Sequence, residues 1–303
     1  GVEIARSTMC GWAKAAADLL APLVKVMADE VRASSVIHTD DTPVPVQAPG
    51  RGRTKTGRLW VYLGDRGHPY TVFDYTPSRS RDGPAKWLAG YRGFLQADAF
   101  GGYDGIYASG EVVEVACWAH ARRKFHEARK SDPARSHKAL AMIRLLYAVE
   151  RDAAGESGGD PGGVAPAERL MLRRQRSLPV LADLRRWLLE QREMALPKSP
   201  MGVAIGYALS NWDALTRYAG GDVGGDGSAD AREGRVVGGG GVGELSIDNN
   251  AAERAIRPLT VGRKNYLFFG SDTGGQTAAT LYSVIASAKR HGLDPFIYLR
   301  ELL

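Results

Sequence analysis

The sequence predicts an α/β protein interrupted by an all-helical insertion. Three observations carry this. Short β-branched and aromatic runs crowd residues 36–118. Amphipathic helical patterns fill Ser136 to Tyr218, and a capped helical block closes the chain after Leu245.

In order, residues 2–33 read as a helix, with Trp12, Ala16, Leu19, Leu20, Leu23 and Val24 at helical spacing and a kink expected at Pro22. Val36 to Val46 reads as a strand, followed by a Gly-rich basic loop. LWVYL (59–63) and YTVFDY (70–75) are strands joined by the hairpin signal GDRGHP. Gly83 to Tyr91 forms a short helix with Trp87 and Leu88 inward. Phe94 to Asp98 and Val112 to Trp118 are strands, and Ala119 to Lys130 is a basic helix. The first three strands make an antiparallel meander to which the others add. This order fits a ribonuclease H-like mixed sheet with flanking helices, although other α/β folds begin in the same way.

Two Gly-rich breaks interrupt the helical stretch, at Gly155 to Pro166 and at Gly220 to Gly243. The second holds 11 glycines in 24 residues and almost no large apolar side chain. Such composition does not offset ordering entropy and predicts a flexible loop. Gly274 to His291 reads as a helix with Leu281, Ile285 and Ala288 on one face. Lys289, Arg290 and His291 close it, and Gly292 follows. Asp294-Pro295 opens a final helix. The expected organisation is a helical segment over 1–33, core over 34–130, helical insertion over 131–219, flexible loop over 220–244, and core completion over 245–303.

The chain has 303 residues, 44% hydrophobic and 24% charged, enough for a substantial core. Forty Lys+Arg against 34 Asp+Glu leave a net charge of +6, a mild bias toward an anionic partner. Cys10 and Cys117 form no disulfide framework or zinc ribbon, and reduced thiols fit a cytoplasmic setting. No apolar run reaches membrane-spanning length. The start at Gly1, inside a helical pattern, reads as a truncation with a segment missing upstream.

Three acids stand out by position. Asp40 is mid-strand in HTDDTP, Asp98 closes a strand in LQADAFGGYD, and Glu253 sits in the first turn of a helix in IDNNAAERAIRPLTVGRKN. Strand alternation puts Val36, His38 and Asp40 on one face and Ile37, Thr39 and Asp41 on the other. In a ribonuclease H-like sheet the first and fourth strands are neighbours, and a returning helix supplies a third acid. Converging carboxylates repel unless divalent cations hold them, and oxygen-only donors suit Mg²⁺ or Mn²⁺. Each acid also has a bland reading. Asp40 and Asp41 fit a strand-end turn before Thr42-Pro43. Asp98 fits a cap, with Asp104 a nearby competitor. Asn250 and Glu253 fit a capping box contributing about 1 kcal/mol.

The blocks HTDDTPVPV, GRTKTGRLWVYLGD, FDYTPSRS, GPAKWLAGYRGFLQADAFGGYDGIY, CWAHARRKF, IDNNAAERAIRPLTVGRKNYLFFGS and YSVIASAKRHGLDPFIYLRELL resemble the DDE transposases of bacterial insertion sequence 66. The resemblance runs from about residue 3 to 303, outside 220–243. It implies a ribonuclease H-like core with a helical insertion between the second and third acids. It also implies metal-dependent cleavage of element ends and strand transfer to target DNA. By that resemblance Asp40, Asp98 and Glu253 are the catalytic, metal-holding acids, for two Mg²⁺ or Mn²⁺ ions. Asp41 stands where the family carries Glu, and the family's N-terminal region is absent. The implied partners are DNA, further copies of the chain in a synaptic complex and accessory element-encoded proteins; the implied location is the bacterial cytoplasm at the nucleoid. Competing readings are an inactive DNA-binding remnant and a metal-dependent nuclease that cuts without joining.

The expected phosphate contacts are Arg51, Arg53, Lys55 and Arg58 in the basic loop, Arg122, Arg123 and Lys124 after a core strand, and Arg254, Arg257, Arg263 and Lys264 around Glu253. Arg173, Arg174, Arg176, Arg185 and Arg186 read as helix surface. Cys117 and His120, spaced C-x-x-H, read as a buried thiol and a histidine at the site's edge, not as zinc ligands.

Overall fold

The computed structural model describes residues 2–50, 52–155, 163–220 and 241–303. It divides into two compact units. One comprises Gly1–Leu95, Phe100–Val113 and Asn250–Leu303; the other comprises Gln96–Ala99 and Glu114–Asn249. Arg51 and most of the Gly-rich 220–244 stretch lie outside the described residues. No described helix is long and apolar enough to cross a membrane.

The fold is α/β, with a five-stranded mixed sheet and flanking helices. Strands β1 (Val36–Val46), β2 (Lys55–Leu63) and β3 (Thr71–Thr76) form the expected antiparallel meander. With β4 (Gly93–Gln96) and β5 (Val112–Val115) the sheet order is β3-β2-β1-β4-β5, so the first and fourth strands are neighbours. The boundaries correct the sequence reading in three places. Lys55 to Arg58 belong to β2, not to a loop, because they pair in register with Pro43 to Val46. Asp98 lies two residues beyond β4. Trp118 opens a helix instead of closing β5; its indole is fully buried and donates to the Leu215 carbonyl at 2.7 Å.

In the sheet-bearing unit, α1 (Arg6–Ala33) packs against α10 (Asp272–Arg290), and α10 covers β3. The buried stripe of α10 is Ala279, Ser283, Val284, Ser287 and Ala288, while Leu281 and Ile285 are only half-buried. The serines explain why. Being the edge strand, β3 leaves backbone groups outside the ladder. Ser283 Oγ accepts from Phe73 N–H at 2.8 Å, and Ser287 Oγ accepts from Thr71 N–H at 3.0 Å. Two glycines permit the close approach around Tyr75: a Cβ on Gly57 or on Gly275 would fall 2.5 Å from the Tyr75 side chain. Helix α9 (Asn250–Tyr266) lies across β1 and β2. Short helices α2 (Asp82–Trp87) and α3 (Asp104–Tyr107) and the terminal α11 (Pro295–Leu302) complete the unit. Asp294 caps α11, accepting from the N–H groups of Phe296 and Ile297.

The second unit is helical: α4 (Trp118–Ala128), α5 (Pro133–Ala154), α6 (Pro166–Met194), α7 (Pro200–Ser210) and α8 (Trp212–Thr216). Pro133, Pro166 and Pro200 each open a helix, where a missing N–H costs nothing. Phe125, Ile143, Leu146, Leu181, Leu184, Leu188 and Ile205 fill its core. Arg173 is no surface residue. It is 1% exposed, pairs with Glu150 through one guanidinium edge, Nε and Nη2 (2.8 and 2.6 Å), and donates to the carbonyls of Tyr218 and Leu245, each at 2.9 Å. A buried guanidinium needs such full satisfaction.

Candidate active site

Alternation along β1 sorts the two adjacent aspartates. Asp40 pairs with Val61, Thr42 with Leu59 and Val44 with Gly57, all on one face. Val44, Val46, Leu59, Val61 and Leu63 join Ala252, Ile256 and Leu259 of α9 in one buried cluster. Helix α9 therefore covers the face that carries Asp40, and Glu253 follows Ala252 in its first turn. Asp40 Oδ1 accepts the backbone N–H of Asp41 at 2.8 Å.

Asp41 points to the other face, and its carboxylate is fully engaged there. It accepts from Arg58 Nη1 at 2.8 Å and from Arg79 Nη2 and Nε at 2.7 and 3.1 Å, with its side chain only 3% exposed. Arg79 in turn lies 3.8 Å over the Phe100 ring, and Phe100 packs with Trp60 and Tyr103. Thr39, on the same face, sits 3.3 Å from the Tyr103 hydroxyl.

Asp98 belongs to the helical unit, where it and Cys117 lie close to Tyr207 of α7. Burial first, with Asp98 among the charges that add to it, pushes the Tyr207 phenol well above its usual range. Lys124 Nζ sits 4.8 Å over the same ring, which places one expected cation in that unit beside Asp98's neighbour. Cys117 is fully buried, and desolvation raises its thiol to about 11, so it stays protonated.

The side-chain anchoring of one segment of this unit was not read in the sequence. Residues 245–249 have no regular structure, yet Leu245, Ile247 and Asn249 are buried. Side chains hold their backbone. The buried Gln96, two residues before Asp98, donates to the carbonyls of Ser246 and Asp248 at 2.6 and 3.2 Å and accepts from Ser246 N–H at 3.2 Å. Trp118 N–H donates to the Ile247 carbonyl, and Asn249 N–H donates to Cys117 Sγ at 3.2 Å. The Tyr147 hydroxyl donates to Asp248 at 2.9 Å; burial first, then that carboxylate, pushes the phenol well above its usual range. Arg173 anchors the start of the segment at Leu245. The one sequence signal was a short run of polar residues, Asp248-Asn249-Asn250, bracketed by Ile247 and an alanine pair.

The expected basic residues divide. Arg58 is tied to Asp41, and Lys55 to Asp272 at 2.6 Å. Lys55, and then the Tyr75 hydroxyl, hold the Asp272 carboxyl below its usual range. Arg263 donates to the Pro43 carbonyl. Arg53, Arg122, Arg123, Arg254, Arg257 and Lys264 are exposed.

A family model described as "Transposase IS66 family" matches residues 1–222 and 241–277. The uncharacterized protein y4qI of Sinorhizobium fredii (strain NBRC 101917 / NGR234) is 31% identical over 318 aligned positions, covering all of this chain and 53% of that protein. The uncharacterized proteins y4hP and y4jD of the same organism are each 30% identical; the alignments cover all of this chain and 53% and 56% of theirs. The chain thus spans about half the length of these relatives.

Proposed function

Since the chain belongs to the IS66 transposase family, we propose that it is the catalytic region of a DDE-type DNA transposase with a ribonuclease H-like core. In this reading it cleaves the ends of an insertion element and joins them to target DNA. The observation that carries the reading is the shared face: α9, with Glu253 in its first turn, packs over the face of β1 that bears Asp40.

Asp40 and Glu253 offer only carboxylate oxygens, a donor set that fits Mg²⁺ or Mn²⁺. Asp98, by its place in the family pattern, is assigned as the third ligand. When bound, two such ions activate the attacking oxygen and stabilise the leaving one. The residues themselves do the positioning. Asp40 is held by the Asp41 N–H and by a strand whose back face is clamped through Asp41. Glu253 is presented by a helix rooted in the buried Ala252, Ile256 and Leu259. Exposed Arg254, Arg257 and Lys264, with Arg53, Arg122 and Arg123, supply charge for the phosphate backbone. In this reading the protein works as several copies on paired element ends.

The test is Mg²⁺-dependent cleavage and joining of duplex DNA carrying the ends of the element that encodes the chain. Asp40→Asn, Asp98→Asn and Glu253→Gln should each lower joining by about 10³-fold or more, equivalent to about 4 kcal/mol. Joining that survives any of these changes removes that residue from the site. Cleavage without joining in the wild type would mark a nuclease, and DNA binding with neither would mark an inactive remnant.

A further inference from the structure

Beyond Glu253, residues 254–271 contain Arg254, Arg257, Arg263 and Lys264 and no acid. Arg263 is held within the fold by the Pro43 carbonyl. Arg254, Arg257, Val261 and Lys264 are all exposed, and their spacing aligns them on one outward stripe of α9. That stripe runs about 15 Å along the helix, a length over which a DNA strand presents roughly four phosphates at about 3.4 Å of axis each.

The stripe ends in an apolar tip. Tyr266 is turned inward: its hydroxyl donates to the Leu259 carbonyl at 3.2 Å, and its ring stacks on Phe269 with centroids 5.3 Å apart and 8° between planes. Phe269 is bridged to the end of β1. Its N–H donates to the Pro45 carbonyl at 2.9 Å, and its carbonyl accepts from Gln47 N–H at 2.7 Å. With both flanking residues pinned, Leu267 and Phe268 project outward, 64% and 43% exposed. Leu267 has φ +61°, a left-handed backbone that a leucine rarely adopts. Two large apolar side chains are thus presented to water at the end of a cationic track.

We propose that Leu267–Phe268 is a wedge that unstacks a base step of the duplex gripped by the Arg254–Arg257–Lys264 stripe. Apolar side chains inserted between base steps kink and unstack DNA, and an aromatic ring stacks on any base. A purely apolar protein partner leaves the cationic stripe beside the tip unexplained; a polyanion with stackable bases matches both features. The proposal rests on the DNA-processing reading above and adds to it a base contact distinct from the carboxylates.

The probe is a short duplex with 2-aminopurine near one end, titrated with the protein in EDTA, with emission and anisotropy read together. The wild type should raise emission roughly fivefold as the probe base unstacks. Leu267→Gly/Phe268→Ser should abolish that rise and bind about tenfold more weakly, with an unchanged dependence of affinity on salt. Glycine suits the positive φ, so this variant should melt no lower than the wild type, which separates lost binding from lost folding. Arg254→Ala/Arg257→Ala/Lys264→Ala should reduce the salt slope by about 2.7. The wedge is wrong if the tip variant keeps the emission rise, if the wild type gives none, or if the wild type does not bind the duplex. It is also wrong if the tip variant changes self-association while leaving DNA binding intact. Because no metal is present, wild type that unstacks but never joins DNA overturns the transposase reading alone. Joining without unstacking overturns the wedge alone.

Discussion

The two units hold buried charge in opposite ways. In the sheet-bearing unit an acid, Asp41, is clamped by two arginines whose side chains are 20% and 37% exposed. In the helical unit an arginine, Arg173, is 1% exposed and is satisfied by Glu150 and two carbonyls. Both partners of Asp41 are open to water, Arg79 most of all, whereas Arg173 meets two buried carbonyls and one carboxylate, Glu150, that is 17% exposed. The same chemistry therefore has different consequences: removing a partner from a dry network strands a charge, while removing one from a wet rim leaves solvent to compensate.

The largest expected effect comes from the dry network. Arg173→Met should cost about 3–5 kcal/mol in urea unfolding, because Glu150 and two carbonyls lose their donor. Adding Glu150→Leu should recover most of that loss, since an apolar pair avoids the buried charge. A single-variant cost under about 1 kcal/mol would end the contrast between the units.

Next is Gln96→Leu, which removes the side-chain pairing that holds the backbone of Ser246 and Asp248. It should cost about 2–3 kcal/mol, and hydrogen exchange should rise at Ser246 in particular. Unchanged protection there would show that the segment is held without Gln96.

Asp41→Asn should cost about 1–2 kcal/mol, discounted for the partly solvated arginines. Asp41→Glu, which keeps the charge, should cost less. A loss matching that of Arg173→Met would mean that solvent access is not what separates the two clusters.

The smallest effect has the opposite sign. Burial raises the Asp74 carboxyl above its ordinary value. The folded protein therefore binds more protons than the unfolded chain between the ordinary and the raised value. Stability falls as pH climbs through that window, and the penalty persists above it. Asp74→Asn should raise stability by up to about 1 kcal/mol at neutral pH and flatten the fall of the urea midpoint as pH climbs above the ordinary carboxyl value. A variant less stable than wild type at neutral pH would show that the charged form is favoured by its surroundings.

Much of the sheet-bearing unit was legible because strand alternation is local. The span of β1, the meander and the division of Asp40 from Asp41 onto opposite faces all follow from a period of two. The helical unit was legible as helices, since its periodicity and its proline and cap signals are also local. Misreadings fell where distant residues decide. Lys55 and Arg58 looked like a solvated loop because nothing nearby reveals that Asp272 and Asp41 are their partners. Of the face assigned to α10, Ala288 is buried but Leu281 and Ile285 are only half-buried, because an edge strand selects small hydroxyls that reach its backbone.

By itself the sequence determined the periodicities, the acids with their order and spacing, and the acid-free basic run after Glu253, because each depends on residues close in the chain. Only the tertiary structure decided that Arg173 is buried, that Gln96 grips the backbone before α9, and that Leu267 and Phe268 are left outside. Each of these depends on whether a polar group or an apolar side chain finds a partner far along the chain, and that pairing sets its exposure to water.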